Sequence, residues 1–179
     1  MSIGQEYLKD AGDRFHQYKE QADKAIAQVG DDDLFRTLDG EANSIAILMR
    51  HLAGNMRSRW EQFMTTDGEK PTRHRDQEFE MPAGTTRAAL LADWESGWTQ
   101  LFSELKMLTP DDLEKTVYTR HEPTSALSAI NRQLGHAALH IGQIIMLAKH
   151  FRSGQWRTLT IPRGQSEAFN ETMRRKFAK

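Results

Sequence analysis

Three observations predict an all-α fold in the form of a four-helix bundle. Four long segments carry apolar residues at three- and four-residue steps, which places those side chains on one helix face. The chain has 179 residues, a length that fits one domain burying roughly 70% of its unfolded surface. It contains no Cys, so disulfides cannot replace a core. We therefore expect one bundle domain over residues 1–179, with a tail from about residue 152 packing on it.

The first two segments are predicted to be antiparallel neighbours. The first covers about residues 4–29 and the second about residues 41–64, and the acidic stretch at residues 30–33 ends the first helix. Because the link between them is short, the second helix returns beside the first. Gly54 lies inside the second helix, where glycine costs about 1 kcal/mol relative to alanine, which indicates close packing or a chance substitution.

The third and fourth segments complete the bundle. The third covers about residues 85–108, and Thr85 or Thr86 can cap its first turn. The fourth covers about residues 124–151. The link at residues 65–84 is far too long for a tight turn, so it is predicted to cross the bundle and leave helices two and three parallel. The expected topology is up-down-down-up.

Shorter features are predicted around the last two helices. Residues 109–112 read Thr-Pro-Asp-Asp, a helix-start pattern that predicts a single turn, and residues 114–120 predict one short extended strand. Residues 164–177 predict a short last helix. Three large apolar side chains in this polar tail are expected to pack on the bundle or on a partner chain: Trp156, Ile161 and Phe169.

Composition and charge exclude several functional classes. With 24 Lys+Arg against 25 Asp+Glu, the formal net charge of -1 gives no basic surface of the kind that nucleic acids attract. No apolar run approaches the ~20 residues of a membrane span. The N-terminus lacks the basic and apolar regions of a signal peptide, so a cytoplasmic location is expected.

A histidine pair in the fourth helix is the first candidate for chemistry. His136 and His140 are four residues apart, so both lie on one helix face and both rings can reach one ion at the ~2.0–2.1 Å of a Zn–N bond. The pair sits at the flank of the apolar stripe, beside Gln133 and Gln143, where sites between bundle helices are built. The alternative is two polar histidines at the edge of the stripe with no ligand.

Several related motifs can be excluded. Ala137 stands where the Glu of a His-Glu-x-x-His zinc protease would be. No His has a Glu three residues before it, which excludes the Glu-x-x-His of di-iron bundles. The sequence also lacks a phosphate-binding glycine loop and a nucleophile elbow. A mononuclear histidine site is the chemistry that remains.

His51 is the candidate third ligand because it is the only His in the second helix. It adjoins the apolar stripe, and its alternative interpretation is a hydrogen-bonded core histidine. Convergence of the three rings should bring their nitrogens within about 3–4 Å of one another. The other four histidines are predicted to lie at the surface: His16, His74, His121 and His150.

A His in the second helix and a His-x-x-x-His in the fourth resemble the DinB-like (YfiT-like) metal-binding superfamily. The likeness covers essentially the whole chain and points to an uncharacterised bacterial branch, a family of unknown function. Besides His51, His136 and His140, it is carried by residues 51–60, 65–70, 130–134 and 161–164.

The resemblance implies a fold, a metal and a range of activities. Members share an up-down-down-up bundle whose three His bind one divalent metal, described as Ni, Zn or Fe-like, and relatives often dimerise. Characterised relatives transfer or use low-molecular-weight thiols such as bacillithiol, mycothiol and glutathione, and others are thought to be hydrolases. We therefore expect a metal-dependent enzyme acting on a small molecule, most plausibly a thiol S-transferase. The alternatives are a non-catalytic metal-binding bundle and a metal-dependent hydrolase.

Other parts of the expected site are less defined. Neutral imidazoles favour a transition metal over Mg or Ca, which prefer oxygen ligands. Asn55 and Gln143 lie one turn from His51 and His140 and are candidates for polar groups at the site. No catalytic residue is assigned by the sequence. Three tryptophans can line a pocket or belong to the core: Trp60, Trp94 and Trp98.

Overall fold

The computed structural model describes residues 1–178 and shows four long helices in a bundle, which confirms the predicted all-α class. These helices are α1 (Ile3–Ile26), α3 (Ile45–Trp60), α4 (Arg87–Met107) and α5 (Ala126–Arg152). Two further helices are short, α2 (Asp31–Phe35) and α6 (Ser166–Phe177). One antiparallel hairpin joins β1 (Thr116–Thr119) to β2 (Glu122–Ser125). Single turns of 3-10 helix occupy Arg75–Phe79, Pro110–Asp112 and Ser153–Gln155.

A hydroxyl side chain begins each long helix. Each of these side chains accepts a hydrogen bond from the backbone N–H three residues later, which satisfies a donor that the first turn leaves free. Thr86, rather than Thr85, is the cap of α4. The four caps are Ser2, Ser44, Thr86 and Ser125.

Helix α3 is shorter than the predicted 41–64. At its start, the Asp39 carboxylate accepts the N–H groups of Glu41 and Ala42 and holds that segment in a turn. At its end, Gln62 takes a left-handed φ of 50°, which no helical residue adopts. The predicted stretch is therefore a helix flanked by two ordered turns.

Helices α3 and α4 run in the same direction, as the long link at residues 65–84 predicts. Ala53 lies against Gly97, and further along both helices the Trp60 carbonyl accepts a hydrogen bond from Gln100. The residue numbers of contacting positions therefore increase in the same direction on α3 and α4. A Cβ at Gly97 would lie 2.7 Å from the Ala53 Cα, so this close approach of two backbones requires glycine.

Helix α1 is antiparallel to α4 and parallel to α5. The Trp94 indole donates to Asp23 and Phe102 stacks on His16, so numbers fall on one helix as they rise on the other. These directions agree with the predicted up-down-down-up order. Near the start of α1, Tyr7 donates a hydrogen bond to the Leu127 carbonyl of α5, and beyond its end Gln28 donates to the Arg157 carbonyl after α5. These contacts show that α1 and α5 run in the same direction.

Aromatic side chains fill the centre of the bundle. The Phe15 ring meets the edges or faces of Trp60 and Trp98 at centroid distances of 6.1 and 6.4 Å. Trp94 packs at 5.5 Å from Trp98. All four are at most 1% exposed, so the three tryptophans that the sequence left open pack in the core, and Trp60 lines a cavity as well.

The chain between α4 and α5 is more ordered than predicted. The strand expected at residues 114–120 is one arm of a hairpin, whose second arm the sequence gives no sign of. Arg120 and His121 form the turn with left-handed φ values of 54° and 65°, which Asn and Gly usually supply. Asp67 accepts both of their N–H groups, at 2.8 and 2.7 Å, and so ties the hairpin to the crossover segment.

Two other polar segments adopt helices. The acidic stretch at residues 30–33 begins the short helix α2 rather than simply ending α1. In the tail, α6 agrees with the predicted last helix, although none of its residues is buried. Trp156 packs against the core, whereas Ile161 and Phe169 are 38% and 42% exposed. None of the helices within residues 1–178 has the length and apolar character needed to cross a bilayer.

Candidate metal centre

The structure brings the three predicted histidines together between α3 and α5. One nitrogen from each ring lies within 4.8 Å of the other two. The Nε2 atoms of His51 and His136 are 3.1 Å apart, inside the expected 3–4 Å. The spacing of His136 and His140 on α5 puts both rings on the side that faces His51. This group could hold a metal ion.

Glu78 orients the His51 ring. Its Oε2 atom lies 2.9 Å from His51 Nδ1, and Arg73 donates to both carboxylate oxygens at 2.8 and 2.9 Å. Burial opposes ionisation of Glu78, but the hydrogen bonds from His51 and Arg73 outweigh it and lower the pKa of this carboxyl. An ionised carboxylate only accepts, so His51 Nδ1–H donates and the Nε2 side of the ring faces the other histidines.

Gly54 makes room for this carboxylate. A Cβ at residue 54 would lie 2.4 Å from Glu78 Oε1, so any side chain there displaces Glu78. Gly54 is three residues after His51, one turn along α3. The close packing that the interior glycine indicated is therefore a contact with the crossover segment.

Gln143 orients the His140 ring in the same way. Its Oε1 accepts a hydrogen bond from His140 Nδ1 at 2.7 Å, which leaves Nε2 as the free nitrogen. Burial lowers the pKa of His140, and the nearby His51 adds to this effect although Gln143 opposes it. Burial, followed by repulsion from His140 and His51, lowers the pKa of His136 to about 3. His136 and His140 are therefore neutral at neutral pH and have lone pairs to donate.

These residues fit a transition metal. Hydrogen bonds at Nδ1 fix the rings of His51 and His140 so that their Nε2 atoms point away from Glu78 and Gln143 and towards the cluster. Two nitrogens 3.1 Å apart repel each other when both present lone pairs, and a shared proton or cation removes that repulsion. Three neutral imidazoles suit Zn, Ni or Fe and leave at least one position for water or substrate, as in catalytic zinc sites.

A cavity of about 430 Å³ opens beside the cluster and includes all three histidines in its lining. Its volume lies in the range of small-molecule sites, roughly 300–1,000 Å³. Asn55 contributes a buried Oδ1 that has no hydrogen-bond partner among residues 1–178. Four aromatic side chains form the apolar part of the wall: Trp60, Phe63, Phe79 and Tyr118.

The four histidines that were predicted to lie at the surface are outside the cluster, and two residues that support the cluster, Glu78 and Arg73, were not predicted. The other four histidines are all exposed and do not join the cluster: His16, His74, His121 and His150. Glu78 and Arg73 have no distinguishing spacing in the sequence, because their contact with His51 depends on the path of the crossover segment. The only sign is a carboxylate inside an unusually long link.

Fold and site together define a helical bundle with a candidate three-histidine metal centre. Residues 2–165 match the family described as "Protein of unknown function (DUF1572)", so the chain belongs to that family. The match includes all four long helices and the histidine cluster and ends just before α6. No curated protein and no solved structure matches the chain.

Proposed function

We propose that this protein is a cytoplasmic, metal-dependent enzyme of the DinB-like superfamily that acts on a small molecule as a thiol S-transferase. One observation carries the proposal: three histidines from two facing helices meet at the wall of a cavity of about 430 Å³. The helix directions and the positions of His51, His136 and His140 agree with the resemblance to that superfamily.

Different residues of this chain would bind the metal, orient the ligands and contact the substrate. His51, His136 and His140 would hold one divalent ion, Ni, Zn or Fe-like, while Glu78 and Gln143 keep two of the rings in position. When bound, such an ion lowers the pKa of a coordinated thiol or water and provides a nucleophile at neutral pH. The aromatic wall holds the apolar part of a substrate and excludes water.

The cavity favours an enzyme over a non-catalytic metal-binding bundle. A purely structural zinc site is closed by four protein ligands, whereas this cluster offers three and faces open space. A metal-dependent hydrolase is the second enzymatic candidate, because the same site can activate water. A screen of thiol transfer against ester and amide hydrolysis, with metal-loaded protein, separates these two reactions.

Metal binding is the first test, and His51→Ala is the variant of choice. The protein is purified without metal-affinity resin, analysed for its elements, and titrated with zinc and nickel. We expect one ion per wild-type chain and a sharp loss of binding in His51→Ala, with unchanged helical circular dichroism. His74→Ala removes an exposed histidine outside the cluster and is the matched control. Equal metal affinity in His51→Ala and wild type would contradict the site and the enzyme with it.

We also propose a homodimer, in line with the resemblance. The outward face of α5 supports it, because Leu139 and Met146 are 61% and 53% exposed there and alternate with Gly135 and Gly142 at helical spacing. Apolar side chains recurring on one exposed helix face are typical of an interface between copies. A monomer mass that does not change with concentration would contradict the dimer.

A further inference from the structure

The cavity beside the histidines is lined by an excess of positive charge. None of its described lining residues is acidic. Behind the wall, the single carboxylate of Glu69 lies within 3.5 Å of three guanidinium groups, those of Arg59, Arg73 and Arg120. The arginines in the lining are Arg59, Arg73, Arg75, Arg120 and Arg132.

Only one of the two terminal nitrogens of the Arg59 guanidinium group has a partner. Its Nη2 pairs with Glu69 at 3.0 Å, while its Nη1 is buried and has no hydrogen-bond partner among residues 1–178. Burial lowers the pKa of Arg59, and repulsion from Arg73, Arg120 and Arg132 adds to the decrease although Glu69 opposes it. A buried donor on a charged group is costly to leave without an acceptor, so this position favours an incoming oxygen atom.

Gln133 provides a second, independent donor in the same cavity. Its side chain is 5% exposed, and its Nε2 atom has no partner within the described chain. Gln133 lies three residues before His136 on α5, so this amide belongs to the same helix flank as the histidine pair. A buried amide carries no charge, and its missing acceptor has therefore nothing to do with the crowding of the arginines.

The other lining arginines differ in their roles. Arg73 has a structural role, since it is 5% exposed and contacts both Glu78 and Glu69. Arg120 and Arg132 have side chains that are 56% and 64% exposed, and Arg132 approaches Glu122 only to 3.8 Å. These two are available at the mouth of the cavity, where positive charge attracts an anion from solution.

We propose that the small molecule bound in this cavity is an anion whose carboxylate or phosphate group is held by Arg59 and Gln133. This inference names the substrate class of the proposed function and rests on it. Arg120 and Arg132 attract the ligand at the mouth, and the aromatic wall contacts its apolar body. The planar, forked guanidinium matches the paired oxygens of either acid. The volume admits a metabolite rather than a macromolecule.

Three probes of similar shape test the proposal on the full-length protein at neutral pH. Benzoate and phenyl phosphate carry the two acids, and benzamide is their neutral counterpart. Binding is measured by calorimetry or by ligand-detected NMR, first after metal removal with a chelator and then with zinc added. We expect both anions to bind the metal-free protein at least about tenfold more tightly than benzamide. The tighter of the two anions identifies carboxylate or phosphate as the preferred group.

Three variants locate the binding. Arg59→Gln should weaken both anions by about tenfold, and Gln133→Leu by severalfold, while benzamide is unaffected. Because Arg59→Gln also removes one of the three guanidinium partners of Glu69 and can destabilise the fold, the exposed Arg132→Gln provides a third test, in which a smaller decrease in affinity is expected. Arg14→Gln, an equally exposed arginine on α1 outside the cavity, is the control and should change nothing.

The outcomes separate this inference from the proposed function. Equal affinity for benzamide and the anions overturns the inference, as does anion binding that none of the three cavity variants alters. Binding that requires zinc and ignores these variants places the anion on the metal and also overturns it. If wild type binds no metal but keeps its preference for anions, the proposed function fails while the anion site stands.

Discussion

The bundle contains two buried regions of opposite character that share Trp60. In the aromatic core, Phe15, Trp94 and Trp98 pack edge to face and are wholly buried. The adjoining cavity opens to solvent, and its walls contain most of the buried polar atoms that have no hydrogen-bond partner. Seven buried side-chain nitrogen or oxygen atoms within residues 1–178 lack a hydrogen bond. One of them, Trp98 Nε1, lies in the aromatic core, whereas four belong to side chains that line the cavity: Asn55, Arg59, Gln133 and His136.

This difference indicates that the aromatic core mainly stabilises the fold and that the cavity mainly serves binding. Buried apolar surface is the main favourable term in folding, so the aromatic core is where the fold gains most of its stability. Unpaired buried polar atoms cost stability, and a protein retains them where a ligand or ion supplies the partners. Changes in the core should therefore alter unfolding, and changes in the cavity should alter binding.

The largest effect on stability is expected from Trp98→Ala. The side chain lies between Phe15 and Trp94, and its removal leaves a cavity that should cost about 3–5 kcal/mol in the free energy of unfolding. Denaturant unfolding measures the loss, and metal affinity of the folded variant should stay unchanged. Trp156→Ala, in the partly buried tail, is the control and should cost much less. A loss below about 1 kcal/mol would contradict the division between the two regions.

Gly97→Ala tests the core where α3 and α4 touch. Its Cβ would meet the Ala53 backbone, which cannot move aside as a flexible side chain can, so a destabilisation of about 1–3 kcal/mol is expected. Gly12→Ala on α1 is the matched control, because outside its own helix backbone the nearest atom to a Cβ there is Leu105 Cδ2, at an ordinary van der Waals distance of 3.8 Å. Like any glycine inside a helix, Gly12 costs helix propensity relative to alanine, so Gly12→Ala should be stabilised by up to about 1 kcal/mol. Equal effects at both glycines would exclude close packing as the cause.

Glu78→Gln tests the cavity side of the comparison. The amide cannot provide the same charged acceptor for His51 Nδ1, so metal affinity should fall by about 10–100-fold. Glu69→Gln is the control, since Glu69 contacts Arg59 and Arg73 but no ring of the cluster. Gly54→Ala should reproduce part of the loss by displacing the carboxylate. Unchanged metal affinity in Glu78→Gln would show that the His51 ring needs no support.

The sequence predicted those parts of the molecule that depend on local pattern. Apolar periodicity located the four long helices, a hydroxyl cap marked the start of α4, and the length of the 65–84 link predicted that α3 and α4 are parallel. The spacing within α5 and the histidine on α3 made the cluster a candidate, and the family resemblance of these three positions made it the prediction. The structure brings these three residues together as expected, and whether they bind metal stays a prediction.

The remaining parts depend on contacts between distant segments, which leave no local pattern. Glu78 reaches His51 only because the crossover segment folds back over Gly54. The hairpin was not predicted because its turn residues lack Asn or Gly, and their left-handed backbone is held instead by Asp67, more than fifty residues earlier. Arg59 and Gln133 also come from different helices. Their significance appears only when both are seen to lack partners.

The smallest effect is expected from Asp67→Asn, which loosens the attachment of the hairpin to the cavity wall. Asp67 accepts three backbone N–H groups, from Glu69, Arg120 and His121. Burial opposes its ionisation, but these hydrogen bonds outweigh it and lower its pKa from 3.8 to about 2. A lowered carboxyl pKa contributes stability that is present above about pH 4 and is lost as the pH falls towards 2.

The free energy of unfolding should therefore differ between wild type and Asp67→Asn by about 0.5–1 kcal/mol at neutral pH, since water reaches the carboxylate and weakens its bonds. This difference should close between about pH 4 and pH 2, and amide exchange at Arg120 and His121 should be faster in the variant. Asp112→Asn is the comparator, because hydrogen bonds from Lys115 and Thr109 lower the pKa of Asp112 to about 2 as well, away from the cavity. It should show the same closing difference with no change in exchange at the hairpin turn. If both variants change amide exchange at the hairpin turn equally, the hydrogen bonds of Asp67 are not what holds the hairpin in the cavity wall.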